Sequence, residues 1–513
     1  MSVINTNVSS LKSQNSLQLN ESKLNKAMER LSTGVRINSA KDDAAGLAIT
    51  TRMTSEIRGL TQAVRNANDG ISVAQTAEGA LGEITNILQR LREISVQSAN
   101  STNNGVDRSF LNTEAQQLID ETQRIGAQTS FNGIRLLDGT FTAKDFQVGA
   151  GQGETIVFNS IADSKASALG SNILVMNSTS TTSGTGSLKA STATGTLPVN
   201  GVATNTTMTL STASGGKTGA ITTAISSSAK SIADAINTAA ASIGINAVAT
   251  NAASIKELSV AGTVSFSLTG TKTSASSAVS AVVTNTNDLT SLAAAINGVS
   301  ADTGITATFA DPTDKGKIQL TSKDGSNIAI TSFKVTIGGS DNASATMKMG
   351  EGPAALGGGG ATDLTLTSLA ATDTGLKTGI VTLASAKGAI TLAAGDTNLT
   401  PNTSATSTFN SILGVDLSTQ LGSQDALTVI DNALTQVNNT RANLGGLMNR
   451  FEAAISNQST SIANLSASRS RILDTDYAVE TTNLAKAQII QQAATAMLAQ
   501  ANQSSQSVLA LLK

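Results

Sequence analysis

The chain has 513 residues, a formal net charge of −2, and no cysteine, histidine or tryptophan. Those absences exclude disulfides, thiolate nucleophiles, imidazole bases and the usual zinc ligands, and the charge makes no electrostatic case for nucleic acid or an anionic membrane surface. Length predicts roughly three or four domains, and with aromatics at 2% any core must be built from Ala, Leu, Ile and Val.

The first predicted element is a helix. Ile4, Val8 and Leu11 share one face, and Leu17, Leu24 and Leu31 then recur in heptad step with Met28 and Val35 beside them. The N-terminus lacks the basic region and apolar core of a cleavable signal peptide, so export, if it occurs, reads something else. No run of about 18 apolar residues is present to span a bilayer. A second helical run carries Met53, Leu60, Ala67, Ala74, Leu81 and Leu88 in strict heptad step. Ile57, Val64 and Ile71 flank it early and Ala77, Ile84 and Leu91 flank it later, so the seam is expected to drift near residues 70–79. After the turn 100–105 a third helix is expected to face Leu111, Leu118 and Ile125 inward.

Beyond Phe131-Asn-Gly133 the period changes. Phe146-Gln-Val148 and Thr155-Ile-Val-Phe158 bracket Gly149-Ala-Gly-Gln-Gly153 and read as a hairpin with a glycine-rich turn. From about residue 177 to 408 the composition shifts to Ser, Thr, Ala and Gly with short alternating strands. Ala235-Ile-Asn237 and Ala295-Ile-Asn297 are each followed by Gly-Ile, at Gly244-Ile245 and Gly304-Ile305. This predicts a duplicated α+β unit; residues 357–360, all glycine, read as a flexible joint. All four prolines lie in this middle.

The chain then returns to helix. One ladder runs Ile430, Val437, Leu444, Phe451, Gln458, Leu465 and Ile472, with Leu434, Arg441, Met448, Ile455, Ile462 and Arg469 four residues behind it. A narrow seam on a long helix needs partner helices, and the N-terminal helices are candidates for a bundle. After Lys486, Ala487, Ala494, Ala501 and Val508 form one stripe and Ile490, Met497, Ser504 and Leu511 the other, almost without charge.

Catalytic constellations are weak. Gly149-Ala-Gly-Gln-Gly153 lacks the Gly-Lys-Ser/Thr of a phosphate loop. Asp474-Thr-Asp476 has the opening spacing of a calcium loop without its glycine and terminal glutamate, and reads as caps or charge pairs at a helix boundary. Asp42-Asp43 reads as helix N-terminal acids countering the dipole. A Ser or Thr nucleophile would need lysine or an N-terminal amine as base, and nothing local supports one. The expectation is no enzyme, no cofactor and no metal. Around Gln89-Arg90-Leu91-Arg92-Glu93-Ile94 the polar groups outside the Leu88/Leu91 seam fit either a solvated face or a binding surface.

Leu31-Ser-Thr-Gly-Val-Arg-Ile-Asn-Ser-Ala-Lys-Asp-Asp-Ala-Ala-Gly-Leu-Ala-Ile49 resembles the N-terminal signature of bacterial flagellin, as do the block from Asn66 to Leu81 and Ser130-Phe-Asn-Gly133. The block from Arg469 to Ala478 and Lys486-Ala-Gln-Ile-Ile-Gln-Gln-Ala493 resemble its C-terminal signature. The resemblance implies an α+β multidomain fold in which N- and C-terminal heptad helices pair into a coiled-coil or helical-bundle core, with variable β-rich domains inserted in the middle. It implies an innermost domain of 1–45 with 471–513, a bundle of 46–176 with 409–470, and outer domains over 177–408. It further implies a subunit that polymerises into the extracellular flagellar filament for swimming, exported unfolded through the flagellar type III apparatus. The partners so implied are other copies of the chain, an export chaperone, the filament cap and hook-associated junction proteins.

Subunit packing is expected to use Ile4, Val8, Leu11, Leu24, Leu31, Ala487, Ile490, Ala494, Met497, Ala501, Val508 and Leu511. Gln89, Arg90, Glu93 and Glu114 match positions bound by the host's flagellin-sensing Toll-like receptor, with Ile94 where leucine is usual. Val508, Leu511 and Leu512 resemble the apolar residues sensed by cytosolic inflammasome receptors. A hook–filament junction protein is the alternative reading. A flagellin carrying a metallopeptidase is excluded by the missing histidine, and a Ser/Thr-rich adhesin does not fit heptads at both ends.

Overall fold

The computed structural model describes residues 7–176, 187–190, 198, 206–213, 216–224, 227–270, 276–309, 314–322, 324–352, 363–394 and 404–510. Among them lie α1 (Val8–Thr33), α2 (Ala44–Ser98), α3 (Gly105–Gln128), α4 (Ala229–Ala240), α5 (Thr290–Gly298), α6 (Ser300–Thr303), α7 (Gln420–Leu473) and α8 (Tyr477–Ala510). The expected joint at 357–360 falls outside the described residues. The chain forms two compact units: Met1–Gln75, Thr142–Asn159 and Leu444–Lys513 make the first, and Thr76–Phe141 and Ser160–Asn443 the second. The division therefore runs within α2 and α7, and each of these helices contributes to both units.

The burial of α2 shows one unbroken seam. Leu60, Ala63, Ala67, Gly70, Ala74, Ala77, Leu81, Ile84, Leu88, Leu91, Ser95 and Ser98 are all buried, at alternating steps of three and four. The expected drift does not occur. Ala63 and Gly70 hold the early positions, where Ile57, Val64 and Ile71 are only half-buried. Small residues there permit close approach: a Cβ on Gly70 would lie 2.7 Å from Cζ of Phe451, whose ring occupies that space. On α7 the ladder Ile430, Val437, Leu444 and Phe451 is buried, but its companions are Ala433, Thr440 and Leu447. Leu434, Arg441 and Met448, expected in that role, are half-buried at its flank. On α3 the inward face is Ala115, Ile119, Thr122 and Gly126, rotated from the expected Leu111, Leu118 and Ile125, which are half-buried.

In the first unit the hairpin forms as expected, with Lys144–Gln147 antiparallel to Thr155–Phe158. Phe146 stacks edge-on against Phe451 at a centroid distance of 5.6 Å and lies 6.0 Å from Phe158. Gln458 Nε2 donates to the Val148 carbonyl at 3.0 Å and Asn66 Nδ2 to the Gln147 carbonyl at 3.0 Å, which fastens the hairpin to α7 and α2. The glycine turn is closed from within, since the Gly151 N–H donates to Glu154 Oε2 at 2.9 Å.

The second unit holds the β-rich middle, in which every strand pairing is antiparallel among the described residues. A six-stranded sheet has Gly262–Thr269 between Ser277–Val283 and Ile328–Ile337, and an eight-stranded sheet has Ile245–Lys256 between Lys317–Ser322 and Ile380–Ser385. A smaller four-stranded sheet contains Thr206–Thr212 and Ile390–Ala394. Gly170–Met176 and Thr408–Ser411 pair with each other in the eight-stranded sheet. Strands here alternate, as in Thr263-Val-Ser-Phe-Ser-Leu268, where Val264, Phe266 and Leu268 enter a core shared with Ile318, Leu320, Phe333 and Met349.

The duplicated unit is present in both copies, α4 before Ile245–Lys256 and α5–α6 before Ile305–Phe309. Asn237 donates to the Ala247 carbonyl at 2.8 Å and accepts from its N–H at 2.7 Å. Asn297 does the same with Ala307, both at 2.8 Å. Each asparagine thus completes a peptide-like pair that ties helix to strand. Gly244 and Gly304 turn the chain between them at φ 74 and 73, a left-handed conformation that favours glycine.

Candidate subunit-packing surface

α1 and α8 lie against each other in the first unit, and the pairing is made mostly of small and polar groups. On α1 the seam runs Ser10, Ser13, Leu17, Asn20, Leu24, Ala27 and Leu31, with Ser10, Asn20 and Ala27 buried. On α8 it runs Glu480, Leu484, Ala487, Gln491, Ala494, Leu498 and Ala501, with Glu480 and Ala487 buried. Hydrogen bonds cross it along its length. Asn20 Nδ2 donates to the Ala487 carbonyl at 2.7 Å, Asn7 Nδ2 to the Ala501 carbonyl at 3.0 Å, and Ser10 Oγ to Asn502 Oδ1 at 3.0 Å. Arg30 sits 3.8 Å from Glu480.

At the junction of the two helices with their neighbours, Arg36 N–H donates to the Leu473 carbonyl at 2.6 Å and Thr475 N–H to the Gly34 carbonyl at 3.0 Å. In each acidic pair one carboxylate caps a helix. Asp476 Oδ1 accepts from the Ala478 and Val479 N–H groups at 3.0 and 3.2 Å, and Asp43 Oδ1 from the Gly46 N–H at 2.8 Å. Bonding to Ser39 holds the Asp42 carboxyl below its ordinary value.

The alanine stripe Ala487, Ala494 and Ala501 faces α1, and Leu24 and Leu31, half-buried on α1, face α8 in return. The second α8 stripe is Leu484, Gln491 and Leu498; Ile490 and Met497, expected to form it, point away and are 42% and 64% exposed. Val8 and Leu11 are 52% and 57% exposed, and Leu19, Met28, Val479 and Ile489 are exposed with them. Ile4 and Leu511, with Leu512, lie outside the described residues, and of Val508 only the helical backbone is described. Apolar periodicity cannot reveal Asn20 and Ser10; their signal is position, since Asn20 follows Leu17 by three residues and Ser10 precedes it by one heptad.

Gln89, Arg90 and Glu93 are exposed on α2 and Glu114 on α3, within the second unit. The Arg90 guanidinium reaches Glu114 at 2.8 Å and Glu93 at 3.1 Å, and these bonds, Glu114 first, raise its pKa above the ordinary arginine value. Ile94 does not belong to this surface. It is fully buried, because it lies one residue before Ser95 on the inward side of α2. A groove of about 780 Å³ beside the hairpin is lined by Arg52, Glu56, Ala150, Glu154, Gln458 and Ser461. Among the described residues no group of acidic side chains could hold a metal, and no helix is long and apolar enough to cross a membrane.

Residues 4–142 match the model of the bacterial flagellin N-terminal helical region, 427–512 that of the C-terminal helical region, and 263–324 the flagellin hook IN motif. The chain is 40% identical to B-type flagellin of Pseudomonas aeruginosa, covering 99% of both chains. It is 37% identical to flagellin of Salmonella rubislaw, covering 100% of this chain and 99% of that one. A solved structure of FliC from Burkholderia pseudomallei aligns at a TM-score of 0.29 and 20% identity over 74% of this chain and 99% of that one. The sequence matches span both helical ends and the β-rich middle at nearly full length, and the chain belongs to the bacterial flagellins.

Proposed function

We infer that this chain is the structural subunit of the bacterial flagellar filament and acts by self-assembly rather than by catalysis. Near-full-length identity to flagellins favours this over a hook–filament junction protein. The observation that carries the assembly mechanism is the outward apolar stripe. The α1–α8 pair covers its alanines and leaves Val8, Leu11, Ile489, Ile490 and Met497 in water. Exposed apolar area of this kind gains burial only against another molecule, and here the molecule is another copy of the chain. Replacing Ile490 and Met497 together by Asp tests this by electron microscopy: filaments are lost while the β-rich unit stays folded.

Family membership supports a set of finer roles within the same reading. The two terminal helices form the innermost domain, within 1–45 and 471–513; the bundle comprises 46–176 with 409–470, and 177–408 faces outward. The chain leaves the cell unfolded through the flagellar export apparatus, with a chaperone covering the α8 stripe that would otherwise aggregate. It meets the filament cap and the hook-associated junction proteins at the filament's ends. Gln89, Arg90, Glu93 and Glu114 form the face offered to a host Toll-like receptor. Arg90→Ala leaves thermal stability unchanged, because the side chain is exposed, and lowers receptor signalling in a reporter cell; undiminished signalling refutes that assignment.

A further inference from the structure

We propose that Asn132 is a site of spontaneous deamidation, selected by the fold from among the described Asn–Gly pairs. Asparagine before glycine is chemically prone to this reaction because the following residue offers no side chain to hinder attack. The chain has such pairs at Asn104, Asn132 and Asn297, and a further one at Asn200 outside the described residues. In the reaction the Gly133 backbone nitrogen, having lost its proton, attacks Cγ of Asn132. The new N–C bond closes a succinimide, the Cγ–Nδ2 bond breaks, and the nitrogen leaves as ammonia. Water then opens the ring at either carbonyl, giving aspartate or isoaspartate, so that one water is consumed for each ammonia released.

The fold holds two of the three amides. Asn104 caps α3, its Oδ1 accepting from the Val106 and Asp107 N–H groups at 2.8 and 3.0 Å. Asn297 is bonded through both side-chain atoms to Ala307. Asn132 is exposed, and no hydrogen bond among the described residues engages its side chain. It sits with Gly133 in the turn between Ser130–Phe131 and Ile134–Arg135, at φ 47 and 78. The turn must open for attack, and two-residue strands are too short to resist opening. Departure from a left-handed conformation also relieves an asparagine of backbone strain. Two ordinary hydrogen bonds correspond to about a tenfold lower population of free amide at the guarded sites. Isoaspartate at position 132 adds a backbone carbon and a charge, which ends this turn.

The full-length chain is incubated at mildly alkaline pH, native and in urea, and isoaspartate is mapped by peptide mass spectrometry. Native protein is expected to accumulate it at Asn132 about tenfold faster than at Asn104 or Asn297. The three rates converge in urea, and Asn132→Gln abolishes the signal in that peptide. The proposal is overturned if Asn104 or Asn297 keeps pace with Asn132 in the native chain. It is equally overturned if Asn132 is slowed by folding as much as they are.

Discussion

The paired terminal helices and the β-rich middle bury their apolar residues in opposite ways. In the middle, Val264, Leu268, Ile318, Leu320 and Val335 are wholly inaccessible, packed between strands of the same unit. In the α1–α8 pair, the buried positions are Ser10, Asn20, Ala27, Glu480 and Ala487, whereas Leu19, Ile489 and Met497 are more than 60% exposed. One region therefore satisfies its own core. The other uses alanines and hydrogen bonds to join two helices and keeps its large side chains for a surface. A protein that stores its best apolar area outside is built to be completed by something else, and the nearly chargeless stretch after Lys486 suits other copies of itself.

The contrast can be broken by substitution, and the largest effect belongs to the outward stripe, where charge abolishes assembly outright. Next comes Phe451→Ala. Its ring fills the space over Gly70 and meets Phe146, so the loss should cost about 3–5 kcal/mol, read from denaturant unfolding of the first unit. Leu320→Ala should cost about 2–5 kcal/mol in the second unit, visible as earlier proteolysis of the middle, while filaments still form at low temperature. If Leu320→Ala blocks assembly as completely as a charge at Met497, the two regions are not independent in the way described. Asn20→Ala is smaller. It removes the bond to the Ala487 carbonyl, which lies within α8 and keeps its helical partner, at about 0.5–1.5 kcal/mol, and should weaken the α1–α8 pair as seen by faster hydrogen exchange.

The helices, the hairpin and the duplicated unit were legible because each carries a strong local signal: heptads, a glycine turn, and the Asn-to-Gly-Ile spacing. What was not legible was which neighbour completes each seam. Ala63 and Gly70 hold inward positions on α2, but apolar scoring prefers Val64 and Ile71, so an apparent drift replaced a straight seam. On α8 the polar Gln491 interrupts the ladder of Leu484 and Leu498, so apolar scoring preferred the unbroken pair Ile490 and Met497. Close helix approach favours small residues and polar contacts, and large side chains are then displaced to the flanks, where hydrophobicity alone misreads them as core. Ile94 is the converse case, a residue placed on a surface by resemblance and drawn inward by the neighbouring seam.

If Ile490 and Met497 serve other copies rather than the chain itself, a charge at both positions stops filament growth without unfolding the chain. The Ile490→Asp, Met497→Asp double variant is purified, seeded with fragments of wild-type filament, and imaged by electron microscopy. A folded, soluble protein that fails to extend the seeds is the predicted result. Normal filaments from the double variant would mean that the stripe is exposed for some other reason than packing against other copies.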